Sequence, residues 1–184
     1  MTPKPKELED FFTETIEQAL NRHKLDVSDK ARNYIITMLE RFADTLKLFP
    51  EQRIEPITFQ YQRLVEETNR VWQRELGQEL GDHCLFLVGY FYDFVRRGGD
   101  GQVEYHSQIG STAYQQTGKY PLVELASNFT DLYLVIGDLH LPELDDPEKL
   151  MQVYQKWEKT KDRYYASLLV GKGIVPGRLK EENN

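Results

Sequence analysis

The chain has 184 residues, 40 % hydrophobic and 29 % charged, which is enough to bury one core without disulfides or metal staples. Its 23 Lys and Arg stand against 30 Asp and Glu, a formal net charge of −7, which disfavours the basic surface that nucleic-acid binding relies on. A single cysteine, Cys84, excludes an intrachain disulfide and suits a reducing compartment.

The opening residues, MTPKPKELEDFF, lack the apolar segment of a secretory signal. Leu8, Phe11, Phe12, Thr15, Ile16, Ala19 and Leu20 then recur at three- and four-residue spacing, the stripe of a first amphipathic helix. Ser28 is placed to cap a second helix with a stripe of Ala31, Ile35, Met38, Leu39, Phe42, Leu46 and Phe49, stopped by Pro50. Pro56 suits the first turn of a third, with Ile57, Tyr61, Leu64, Thr68, Val71 and Trp72 on one side. Gly77 and Gly81 mark either a break or a close approach by a neighbouring helix; a break near Gly77 is the expectation.

A fourth helix is expected near 78–97. Leu80, Cys84, Leu87, Val88, Phe91 and Val95 cover a broad apolar side, as on a central helix touching several neighbours. Gln78, Glu79, Asp82, Asp93, Arg96 and Arg97 project opposite, and Phe86 falls among these charges. Its longest hydrophobic stretch, Cys84 to Val95, is interrupted by Gly89 and Asp93 and falls short of the ~20 residues of a membrane span. RRGGDG closes the helix as a C-cap; a helix C-terminus is electrostatically wrong for a phosphate.

A fifth helix follows over roughly 103–117, with His106 near the middle of its apolar face. A buried histidine must be neutral and hydrogen-bonded. Pro121 opens a sixth, with Leu122, Leu125, Ala126, Phe129, Leu132, Tyr133 and Ile136 inward. Asp145 or Asp146 before Pro147 begins a seventh that continues to Leu168, and 171–184 reads as an irregular or flexible tail. The pattern predicts one all-α domain over 1–184, a bundle of about seven helices with no strand.

No catalytic motif is present. The Glu-x-x-His pairs of helical di-metal sites are missing, as is HExxH, so neither metal nor cofactor is expected. Two site readings remain. One is a partner surface formed by Phe86, Tyr90, Tyr92, Arg96 and Arg97, since aromatics and arginine dominate binding hot spots. The other is a small-molecule pocket between the fourth and fifth helices, lined by His83, Tyr90, Phe94, Tyr105, His106 and Tyr114.

The segments LGDHCLFLVGYFYDFVRR, YH…IGSTAY, PLVELASNF and YQKW with GIVPGRL together resemble an uncharacterised bacterial family of all-helical cytosolic proteins, over about residues 27–178. That resemblance implies a helical fold and the bacterial cytosol, with no activity, cofactor or functional residues attached. The chain departs from the pattern at His106, where a second aromatic is expected. The function expected is a non-catalytic protein-interaction or regulatory module of the cytoplasm, binding its own copies or another protein. The alternative is a small-molecule sensor or an enzyme.

Overall fold

Side-chain caps set several of the helix starts in the computed structural model, which describes residues 5–48, 55–99 and 101–177, with the side chains of 5–7 and 45–48 outside that description. Helix α1 (Pro5–His23) buries Phe12, Ile16, Ala19 and Leu20. Helix α2 (Asp29–Leu48) starts where predicted: Ser28 Oγ accepts the Ala31 N–H at 3.1 Å and itself donates to Glu124 at 2.6 Å. Ala31, Ile35, Met38, Leu39 and Phe42 are buried as the stripe requires. The expectations at Leu46, Phe49 and Pro50 lie outside the described residues.

The third helix divides differently from its sequence pattern. Helix α3 (Ile57–Glu66) stops early, because Asn69 accepts the N–H groups of Val71 and Trp72 and caps a new start. Helix α4 then runs unbroken over Arg70–Tyr90. No break occurs at Gly77. A Cβ there would lie 2.9 Å from the Ala113 carbonyl oxygen, so that glycine serves close approach. Thr68, Val71 and Trp72, expected inward, are exposed.

At Phe91 the backbone leaves helical geometry, so the expected 78–97 helix is two: α4 and the short α5 (Tyr92–Arg97). The kink frees carbonyls that other elements satisfy. Tyr164 donates to Gly89 O at 3.1 Å, and His140 Nε2 to Tyr90 O at 2.8 Å.

Helix α6 (Gln102–Thr117) follows the RRGG turn, where Gly98 caps α5 as predicted; Asp100 lies outside the described residues. The predicted sixth helix divides at Asn128 into α7 (Leu122–Ser127) and α8 (Phe129–Gly137), followed by a 3₁₀ segment, Asp138–Asp145. The seventh also divides. In α9 (Pro147–Thr160), Asp146 Oδ1 accepts the Glu148 N–H at 2.9 Å ahead of Pro147, the predicted cap. Lys161 then takes a left-handed conformation, and Asp162 caps α10 (Arg163–Gly171). Residues 172–177 carry no helix, and 178–184 lie outside the description.

Ten α-helices and no strand thus make up the described residues, an all-α single helical domain with more helices than the seven predicted. Helix α4 is central as expected, packed against α3, α6 and α8. It is buried on more sides than its projection implies. Phe86, expected among solvated charges, is only 4 % exposed and stacks on Phe42 with centroids 4.3 Å apart. Asp82, projected outward, is 1 % exposed. No described helix is long and apolar enough to cross a membrane.

Candidate functional site

The seam between α4 and α6, where the sequence points to a pocket, is filled. A methyl on Gly81 would lie 2.3 Å from the Tyr114 ring, and one on Gly110 would lie 2.5 Å from both Cys84 and Phe129. Tyr114 is wholly buried, and its hydroxyl donates to Asp82 Oδ1 at 2.7 Å. Tyr34 donates to the same oxygen at 2.7 Å, and Arg41 pairs with Oδ2. Burial pushes the Asp82 carboxyl up while these three donors pull it down. This network closes the seam with polar groups whose hydrogen bonds are met.

The two histidines have separate partners. His83 Nδ1 lies 2.7 Å from Gln60 Oε1, so Nδ1 carries the proton, and burial holds this imidazole below its ordinary pKa. His106 Nδ1 donates to Gln102 O, one turn back on its own helix, at 2.7 Å. It sits half-buried at the edge of the α6 core face that Ile109, Gly110, Ala113 and Thr117 form. Tyr105 and Phe94 are exposed. The six predicted pocket residues are therefore distributed over several surroundings.

Serine, histidine and aspartate do meet elsewhere. His23 Nε2 lies 2.9 Å from Asp138 Oδ2 and 3.4 Å from Ser167 Oγ, with Arg22 on the same carboxylate oxygen. A nucleophilic relay needs the carboxylate on one ring nitrogen and the hydroxyl on the other. Here one nitrogen faces both. Among the described residues, no group of three or more His, Cys, Asp or Glu side chains is placed to hold a metal ion.

Open space lies instead on either side of α5. A cleft of about 690 Å³ is bounded by α5, α6, the α7–α8 junction and the start of α10. Its polar wall holds Asp162, whose Oδ1 accepts the Tyr164 N–H at 3.0 Å. Asp162 Oδ2 accepts from Tyr92 and from Arg96 Nη1, each at 2.6 Å. Burial opposes the Arg96 charge, but Asp162 outweighs it and holds the guanidinium above its ordinary value. Tyr133, Asn128 and Asp131 complete this side, with Val103, Ala126 and Phe129 as apolar wall.

A second cleft, of about 340 Å³, lies between α5, the 3₁₀ segment, α9 and α10. Here Asp93 accepts from Tyr165 at 2.6 Å and from Lys156 at 2.7 Å. Burial alone would raise this carboxyl, yet both donors hold it below the ordinary aspartate range. Tyr92, stacked on Tyr164 at 3.9 Å, lines both clefts.

Of the predicted partner residues, Phe86 and Tyr92 are buried, Tyr90 is half-buried and Arg97 is exposed. Tyr92 and Arg96 reach the larger cleft, while Tyr90, Tyr92, Phe94 and Arg97 reach the smaller. Sequence reading did not single out Asp162, although an aspartate before an apolar run is a helix-start signal. Tyr133 figured there only as a core residue. No family model, no curated protein and no solved structure matches this chain.

Proposed function

We propose that the protein is a non-catalytic interaction module that associates with a second copy of itself through the elbow between α3 and α4. The observation carrying this reading is the apolar exposure there. Phe59 is 57 % exposed, Val65 60 %, Val71 62 % and Trp72 59 %, all within two helices joined by a short turn. Single exposed apolar residues are ordinary, but four large ones so close in the chain are a reason to look for a contact.

Charge supports a second copy as the occupant. Arg63, Arg70 and Arg74 alternate with Glu66, Glu67 and Glu75 along the elbow, so the net acidity of the whole chain is not concentrated there. A two-fold contact pairs the same surface with itself, which suits alternating signs. Placement in the cytoplasm belongs to the same reading, supported by a lone cysteine that is buried in the core.

Sedimentation of the full chain over a range of concentrations tests the proposal. A monomer–dimer equilibrium is expected, shifted to monomer by Trp72→Ala with helicity unchanged. A wild-type chain that stays monomeric throughout, or a dimer indifferent to that substitution, overturns it. Capture of a different protein by the same elbow would replace self-association with a heterologous partner.

A further inference from the structure

We infer that the larger cleft is a binding site for a small molecule bearing one carboxylate, held by Tyr133, Arg96 and the first turn of α8. Tyr133 carries most of the argument. It is only 9 % exposed, and its hydroxyl has no hydrogen-bond partner among the described residues. That hydroxyl is not sealed in, for the one fully buried side-chain polar atom without a partner among the described residues is Asp138 Oδ1. The open space that Tyr133 lines is the cleft. A phenol so placed is a donor awaiting an acceptor: burial and the nearby Asp162 charge both favour its protonated form.

Two further donors belong to the same wall. Arg96 gives Nη1 to Asp162 and also bonds with Tyr92, but its side chain is 32 % exposed and its fork has five donors. Helix α8 starts at Asn128 without a side-chain cap, and the residues of its first turn line the cleft. Its opening N–H groups are the kind that anions engage at helix starts.

The carboxylate nearest Arg96 is already occupied. Both oxygens of Asp162 take donors, and Asp131 is paired with Arg163 at 2.7 Å. Tyr133 and Arg96 thus leave donors on this wall that an acceptor on the ligand can meet. Glu104 and Asp131 nonetheless stand in the lining, so a doubly charged phosphate is repelled more than a single carboxylate. The apolar wall of Val103, Ala126 and Phe129 suits a hydrocarbon or aromatic body behind that carboxylate, and the volume falls in the usual range for small-molecule sites.

Benzoate is a suitable probe, titrated into the full chain at constant ionic strength and followed by two-dimensional NMR of the backbone amides. Saturable shifts confined to the start of α8 and the cleft walls are expected. Tyr133→Phe removes a hydroxyl that no described group uses, so folding should be unchanged while benzoate binds roughly tenfold more weakly. Arg96→Lys keeps a cation beside Asp162 but loses the fork, and is expected to weaken binding as well. Shifts scattered over the surface, or equal binding by wild type and both variants, overturn the inference. Inorganic phosphate displacing benzoate as strongly as benzoate binds would overturn the assignment to a carboxylate.

Discussion

The Asp82 carboxylate is the acceptor that two phenols and a guanidinium share in the α4–α6 seam. Asp82→Ala leaves the buried Tyr114 hydroxyl without that acceptor and removes one ion-pair partner of Arg41. Breaking a buried ion pair costs about 3–5 kcal/mol, and the lower end applies because the Arg41 side chain is half exposed and can rehydrate. Urea unfolding of the variant should show a loss of about 3 kcal/mol. The histidines make a second prediction at this scale. Burial lowers the folded-state pKa of both His23 and His83. Near neutral pH and above, both imidazoles are neutral whether the chain is folded or not. As pH falls through about 6.5, the ordinary histidine value, the unfolded chain takes up protons that the folded one resists. Stability should therefore fall across this range, before most carboxylates titrate. Unfolding midpoints measured from about pH 8 down to about pH 5.5 check this, and His83→Gln should shallow the decline.

At the scale of elements, Gly81 is decisive for how α4 and α6 meet. Gly81→Ala improves helix propensity by up to about 1 kcal/mol, but its methyl overlaps a Tyr114 ring that has nowhere to go. A net destabilisation of about 1–3 kcal/mol is expected from overpacking, read as a lower denaturant midpoint. The helices themselves were legible because their apolar residues repeat at helical spacing and Ser28, Asp146 and the RRGG turn act locally. Their interruptions were not. The kink at Phe91 is supported by Tyr164 and His140, which lie far along the chain. The α9–α10 break is held by Asp162, whose partners Tyr92 and Arg96 are on α5. Asn69 was a readable cap, but the apolar spacing from Ile57 to Trp72 runs straight across it and hides the boundary.

Across the whole molecule, the sequence located helix α4 at the centre and offered Tyr92 and Arg96 for a protein partner, yet it did not foresee the clefts these two residues line. The larger one is assembled from α5, α6, α7, α8 and α10, and helical projection treats each element alone. Tyr133 shows the difficulty well. It does face inward as predicted, but its ring end reaches an opening that only the arrangement of several helices creates. Projection failed for Phe86 and Asp82 for a related reason: the second half of α4, from Leu80 to Gly89, is enclosed on nearly all sides, so it has no solvent face to predict.

The chain's two indoles both sit outside the buried core: Trp72 projects from the exposed first turn of α4, and Trp157 lies half-buried beneath the Lys161 ammonium, 4.0 Å from the ring centroid. Intrinsic fluorescence will consequently report on the molecule's margins, while tyrosine signals in the near ultraviolet follow its interior. If two copies meet at the elbow, concentrating the protein should move the Trp72 emission towards the blue as its water is displaced. A spectrum independent of concentration would speak against that contact without any need to weigh the particle.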